Sequence, residues 1–362
     1  MKIAIKRAVV VTAALLLTAG TLAACSSNTP GKTSSSGTSN AKIGLLLPDS
    51  VTARYASADK PLFEAKIKEL CPDCTVLYAN ADGDAAKQQQ QAESMLTQGV
   101  KVLVLDPFDG QAAQSIVAEA QAKKVPVISY DRLIAGGKAD LYISFDNQKV
   151  GELQATALVA KLKADNVPSG SGIIMINGSP TDNNATLFKK GAHSVIDTSG
   201  YKVLSEFDTP GWTPANAQAW MDGQITKFGA DKITGIYAAN DGVGGAAIAS
   251  MQAAGVTKLP PVTGQDASLA GIQNILAGTQ YMTVYKAFKP EADAAAQAAI
   301  DLINGKKPQS TSTVSGVPSV LLTPVSVTVD KIQSTVVADA LYKASEICTT
   351  QYAAACTAAG IK

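Results

Sequence analysis

Acids, amides and bases collect at one kind of place in this chain, immediately after runs of strand-forming residues. "VPVISY" is followed at once by Asp131 and Arg132, "GIIMING" by "SPTDNNA" with Asp182 and Asn184, and "ITGIYAA" by Asn240 and Asp241. The first apolar run, "KIGLLL", leads into Asp49, Arg54 and Tyr55, and "YKVLSEF" into "DTPGWTP" with Trp212. "PPVTG" precedes Gln265 and Asp266, and "QYMTVY" precedes Lys286. Carboxylates accept hydrogen bonds from hydroxyls, Arg and Lys donate to them, and carboxamides do both. Ionised partners make such bonds stronger. Trp212 and Tyr55 add flat apolar faces. The set suits a small ring bearing many hydroxyls. An anionic ligand would call for a surplus of donors, and none is evident.

A plainer reading competes at each position. Asp and Asn after a strand often cap the next helix: Asp182 or Asn183 would cap "NNATLFKKG", and Asp241 "GVGGAAIAS". Asp131 beside Arg132 would equally serve as a structural ion pair. Capping leaves Arg54, Arg132, Trp212 and Lys286 at the same edge unexplained. Enzymatic readings are weaker. Asp131 and Asp266 could pair as in glycoside hydrolysis, but Arg132 beside Asp131 would depress its pKa and no raised acid stands out. There is no phosphate-cradling GxxxxGK[ST], and "DGVGG" lacks dinucleotide spacing. The single histidine, His193, lies mid-helix in "KKGAHSVI" and reads as a surface or packing residue. Capture without chemistry, cofactor or metal is the expectation.

These strand ends must be set by an alternating scaffold. "KIGLLL", "TVLYA", "VKVLVLD", "VPVISYD" and "LYISFDN" read as strands separated by helical text, such as "GQAAQSIVAEAQAKK" with Ala113, Ile116, Val117 and Ala120 on one face. A second unit repeats the pattern through "GIIMING", "YKVLSEF", "ITGIYAAND" and "PPVTGQD". Strand–helix units of this length mean α/β sheets covered on both faces. No Pro/Gly/Ser linker separates the two units, so the break reads as a hinge, and "QYMTVYK" and "VPSVLLTPVSV" offer two further crossings. Ligands in open α/β sheets bind beyond the carboxyl ends of the strands, and here such ends would face one cleft between two lobes.

The chain's start reads as an export signal. Lys2, Lys6 and Arg7 precede "AVVVTAALLLTA", and "LAAC" ends at Cys25, as in bacterial lipoprotein signals. Residues 26–40, "SSNTPGKTSSSGTSN", cannot bury a core and read as a flexible tether behind a lipidated Cys25. In an oxidising exterior Cys71–Cys74 and Cys348–Cys356 would close as short-loop disulfides. "CPDC" follows a helix instead of opening one, which disfavours a redox role. Without residues 1–24 the chain keeps 28 basic and 30 acidic side chains. No basic tract with interleaved aromatics speaks for nucleic acid.

At these same residues the chain resembles the type I periplasmic sugar-binding proteins of ABC importers, in the branch that serves xylose and related monosaccharides. The similar segments include "VPVISYDRLI", "YISFDNQKVGELQA", "SPTDNNA", "AANDGVGGAA" and "GTQYMTVYK", spread over about residues 42–330. The resemblance implies two Rossmann-like lobes joined by a three-strand hinge, with residues 41–146 plus 283–319 in the first and 147–282 plus 320–362 in the second. It implies a monomer that delivers sugar to permease subunits in the membrane. Ligand contacts would fall to Arg54, Asp131, Arg132, Asp182, Asn184, Trp212, Asn240, Asp266 and Lys286, with Tyr55 stacking. Asp49, Asp146, Asn147 and Gln265 would serve the hinge or stand behind the site. The xylose branch usually carries Trp beside the first-strand arginine; this chain has Tyr55. The C-terminal "ASEICTTQYAAACTAAGI" is similar to secreted relatives from high-GC Gram-positive bacteria, where a lipid anchor on the outer face of the membrane would retain the protein.

Overall fold

The computed structural model describes residues 40–136 and 138–362. The signal segment, Cys25 and the tether up to residue 39 lie outside the described residues. The chain opens with strand β1 (Lys42–Leu47), apolar and buried after its first residue. A π-helical turn, Tyr55–Asp59, runs straight into α1 (Lys60–Leu70), which turns Phe63 and Ile67, four apart, to the core. The Cys71–Cys74 disulfide closes the turn into β2 (Thr75–Asn80). Then come α2 (Ala85–Thr97), capped by the Asp84 carboxylate, β3 (Val102–Leu105), α3 (Gln114–Ala122), β4 (Val127–Tyr130) and β5 (Leu141–Phe145).

The second half starts with α4 (Asn147–Ala164), β6 (Gly172–Asn177), α5 (Asn183–Ile196) and β7 (Lys202–Asp208). It continues through α6 (Pro214–Phe228), β8 (Ile233–Ala238), α7 (Asp241–Ala253), α8 (Leu269–Leu276) and β9 (Thr283–Tyr285). Helix α9 (Phe288–Ile303), β10 (Ser312–Val314), β11 (Val317–Leu322) and β12 (Val325–Val327) follow, and the tail adds α10 (Ala344–Ile347) and α11 (Ala353–Ala358).

These strands build two separate sheet systems. The first has the order β10-β11-β5-β4-β3-β1-β2 and is parallel apart from β10. Its faces carry two apolar cores, one centred on Ile43, Leu45, Phe63 and Ala295, the other on Leu46, Leu103, Ile116 and Val127. Buried on both sides, β3 reads as a continuous apolar run, as a parallel sheet requires, and β4 is broken only by Ser129. The second system is the parallel set β7-β6-β8, with antiparallel β9 and β12 beyond it. The tail, closed by the Cys348–Cys356 disulfide, packs Ile332, Val336 and Ile347 against Ile272 and Ile275 of α8.

The chain passes between the two systems three times, at Phe145–Asn147, Tyr285–Phe288 and Leu322–Val325. Two of these crossings fall about three residues later than expected. β9, placed by the sequence reading with the first lobe from residue 283, pairs with β12, and β11 stays in the first sheet through Leu322. One expected strand is not formed. "PPVTGQD" makes only isolated bridges, Val262 to Ile236 and Gln265 to Val284. Pro260 and Pro261 bring no N–H to a ladder, and Asp266 and Ala267 turn into the left-handed region (φ 86° and 47°).

Candidate functional site

The strand ends of both systems do face each other, across one small chamber. All ten residues expected to contact a ligand line it, together with Thr52, Phe188 and Gln265. About 250 Å³ of space, part of it open to solvent, lies among the lining atoms. Every one of the ten is buried, with Asn240 and Asp266 the most exposed at 6%.

Arg54 anchors the first-lobe wall. Its Nε and Nη2 fork onto Asp59 (2.8 and 2.7 Å), Nη2 also donates to Glu291 Oε2 (2.7 Å), and Nη1 donates to Asp131 Oδ1 (3.0 Å). The Phe288 ring covers the guanidinium at 4.2 Å. The π-helical turn supplies both Tyr55 and Asp59 here, one facing the chamber and one facing Arg54.

Asp131 and Arg132 do not pair with each other as the sequence allowed. Asp131 takes a left-handed conformation (φ 52°), and its carboxylate meets Arg54, the Tyr55 hydroxyl and, at 3.7 Å, Lys286 Nζ. Burial alone would raise its pKa, but Arg54, Lys286 and Arg132 together hold it down to about 2. Arg132 donates from Nη2 to Asp49 (3.1 Å) and to the Tyr55 hydroxyl (2.9 Å). Its Nε lies 3.2 Å from Asp182 Oδ2 of the opposite wall, as an ion pair without hydrogen-bond geometry.

Asp182, Asn184, Trp212, Asn240 and Asp266 make the second wall. Asp182 caps α5 by accepting from Asn184 N (2.8 Å) and accepts from Trp212 Nε1 (3.0 Å). Asn184, in the first turn of α5, links the lobes: Nδ2 donates to the Asp131 carbonyl, and Oδ1 accepts from Tyr142 Oη and Asn147 Nδ2. Asn240, not Asp241, caps α7 through Val243 N (2.9 Å). Lys286 Nζ reaches Asp266 Oδ1 at 3.0 Å. Of the buried lining atoms without a hydrogen-bond partner among the described residues, Arg132 Nε and Asp266 Oδ1 keep ion-pair contacts at 3.2 and 3.0 Å, whereas two, Arg132 Nη1 and Gln265 Oε1, have no such contact. They are a donor and an acceptor held ready among buried side chains, an arrangement native proteins rarely tolerate without a use.

Comparison with known proteins places this geometry. The family description "periplasmic binding protein domain" matches residues 43–307. The chain belongs to the periplasmic binding protein family. It is 40% identical to the D-xylose-binding periplasmic protein of Escherichia coli (strain K12), over 84% of this chain and 92% of that one. It is 34% identical to the D-xylose-binding periplasmic protein of Haemophilus influenzae, over 92% and 98%. An ABC transporter solute-binding protein from Clostridium phytofermentans, solved with bound β-D-glucose, superposes with a TM-score of 0.79 at 27% identity, covering 84% of this chain and 99% of that one. The fold is the type I α/β arrangement of this family.

In this periplasmic binding protein one of the residues expected at the hinge or behind the site lies elsewhere. Gln265, expected behind the site, is on the chamber wall. Asp146 is exposed and caps α4 through Lys149 N at the first crossing. Asp49 stands behind Arg132, and Asn147 behind Asn184. The reading missed Asp59 and Glu291, which sit inside helices, and Asp106, the last residue of "VKVLVLD". Asp106 is fully buried, 3.7 Å from Arg132 Nε, and burial, opposed by Arg132, pushes its pKa well up. His193 lies on the surface between Asp197 and Glu206.

Proposed function

We propose that this protein captures a monosaccharide outside the cell, D-xylose first, and hands it to the permease of an ABC importer. The observation that carries the reading is the two-walled chamber of balanced charge, lined by the cations Arg54, Arg132 and Lys286 and by the acids Asp131, Asp182 and Asp266. A neutral polyol presents donors and acceptors around its rim and suits such a mixed lining. The relatives named for D-xylose and the neighbour solved with β-D-glucose support the same ligand class. Arg54, Asp131, Arg132 and Lys286 hold the sugar from one lobe, and Asp182, Asn184, Trp212, Asn240 and Asp266 from the other. Trp212 and Tyr55 lie against its C–H faces.

Sugar bridges the lobes and shifts the population toward the closed form in proportion to its preference for it. The closed monomer is what the permease recognises. A lipid on Cys25 and the tether of residues 26–40 keep the protein at the outer face of the membrane. Asp131, ionised down to about pH 2, has no proton to give at neutral pH and serves as an acceptor for the sugar. Calorimetric titration with xylose, glucose, galactose, arabinose and ribose tests the reading. Xylose should bind most tightly, and Asp266→Ala should weaken it by about 3 kcal/mol, roughly a hundredfold, through loss of a charged partner. Failure of every sugar to bind, or unchanged affinity in Asp266→Ala, refutes it.

A further inference from the structure

The wall formed by Gln265 and Asp266 rests on a strained turn. Asp266 and Ala267 are consecutive non-glycine residues in the left-handed region, which L-residues avoid unless their surroundings enforce it. Asp241 brackets this turn. Its backbone N donates to the Gln265 carbonyl (3.1 Å), and its Oδ2 accepts from Ser268 N (2.7 Å). Its Oδ1 accepts from Gln280 Nε2 and from Thr283 Oγ1, both at 2.8 Å. Thr283 Oγ1 in turn accepts from Ala267 N (3.2 Å), inside the strained pair.

The seat is shaped for a carboxylate. A Cβ on Gly264 would lie 2.0 Å from Asp241 Oδ1, and one on Gly271 2.3 Å from Oδ2. Asp241 is 4% exposed and is not in the chamber lining. It is not spent on its own helix, since Asn240 caps α7. Among the described residues no cation pairs with it, and burial, against three donors, pushes its pKa up to about 7. A charged or half-charged group buried without a cation is costly, and three of its bonds, to the Gln265 carbonyl, from Ser268 N and from the Thr283 hydroxyl, converge on the turn behind Asp266.

We propose that Asp241 and Thr283 are a positioning pair that holds the Gln265–Ala267 turn against the chamber and so sets sugar affinity through Asp266. The inference rests on the sugar-binding reading of the chamber, and it is tested so that the two can fail separately. Asp241→Asn places an amide N–H against Ser268 N–H, or against Gln280 and Thr283 in the flipped rotamer. Thr283→Val keeps shape and deletes the relay, whereas Thr283→Ser restores the hydroxyl. Xylose Kd should rise about tenfold or more in Asp241→Asn and Thr283→Val, the loss of one charge-assisted bond, and stay within about threefold in Thr283→Ser. The Thr283→Val effect should shrink below about threefold in an Asp266→Asn background, since a residue acting through Asp266 cannot act twice.

Amide hydrogen exchange at Ala267 and Ser268, measured without sugar, should speed up in Thr283→Val and Asp241→Asn and not in Thr283→Ser. Unchanged exchange in Thr283→Val overturns the proposal. So does faster exchange with unchanged xylose affinity, or a Thr283→Val effect that persists in full beside Asp266→Asn. If Asp241→Asn fails to fold, the two Thr283 variants decide alone. If the parent protein binds no sugar, the reading of the chamber has failed, and exchange alone decides whether the pair holds the turn.

Discussion

A single methyl group should disable the second wall. Gly178, buried at the end of β6, has its α-carbon against the Trp212 indole. A Cβ there would lie 2.1 Å from Cη2, 2.1 Å from Cζ2 and 2.6 Å from Cζ3. Carbon atoms settle at about 3.5–4.0 Å, so the ring must retreat by roughly 1.5 Å. Its Nε1 bond to Asp182, now 3.0 Å, would not survive that shift, and Asp182 would lose the partner that balances Arg132 across the gap. Overpacking costs about 1–3 kcal/mol of stability, and a lost bond to a charged acceptor about 1.5–3 kcal/mol. In sugar affinity the second figure is about a ten- to hundredfold rise in Kd. Titration calorimetry on Gly178→Ala measures it directly. The chain holds two tryptophans, and the other, Trp220, stacks on Phe207 away from the chamber. A Trp220→Phe background therefore isolates the Trp212 emission, which should shift on sugar addition in the parent and not beside Gly178→Ala. A folded Gly178→Ala protein with Kd within about twofold of the parent and an intact emission response would refute the packing argument.

Three further outcomes follow from the same contacts. Asp131 has a depressed folded pKa, so it contributes stability above its unfolded value of about 3.9 and loses it as pH falls toward 2, an effect of roughly 2–3 kcal/mol; urea unfolding between pH 5 and pH 2 should be less steeply pH-dependent in Asp131→Asn. Arg54→Lys keeps the charge but cannot fork onto Asp59 while reaching Glu291 and Asp131, so denaturant unfolding should show a loss of about 3–5 kcal/mol. Paired Cys348→Ala and Cys356→Ala substitutions open a loop with a sequence separation of 8 and should lower stability by about 2–3 kcal/mol in the same assay.

What could be read in advance was whatever obeys a short repeat. Strands such as β3 and helices such as α5 announce themselves by apolar runs and by faces at three- and four-residue spacing. The residues just past each strand follow from topology once the sheets are recognised. Long-range charge partners do not announce themselves. Asp59 and Glu291 look like ordinary helix residues until α1 and α9 are packed side by side behind β1, and only then do both reach Arg54. Asp106 was passed over because it closes an apolar run, which reads as the solvent end of a strand. Adjacency misled in the opposite direction at Asp131 and Arg132, because Asp131, the first residue past the strand, is itself left-handed and sends consecutive side chains to different partners. Asp241 was read as a cap because it sits beside one, and a register of one residue separates the two roles.

The capping and binding readings of the strand-end residues are not rivals. Asp182 accepts from Asn184 N at the start of α5 and from Trp212 Nε1, and it faces Arg132 across the chamber. Asn240 Oδ1 accepts from Val243 N, which leaves its Nδ2 for other partners. A side chain already fixed by its own helix has little rotamer freedom left to lose when a ligand arrives, and that loss is a principal cost of binding small polar molecules. Free side chains of the same chemistry would each give up about 0.5–1.5 kcal/mol on being ordered. Two caps therefore do more than end helices: they deliver a preorganised acceptor and a preorganised donor to the chamber, on elements whose packing sets their position. The same economy bears on the turn at Asp266: Asp266 itself caps no helix, the cap of α8 falling two residues later at Ser268, and Asp241 and Thr283 hold the turn from behind.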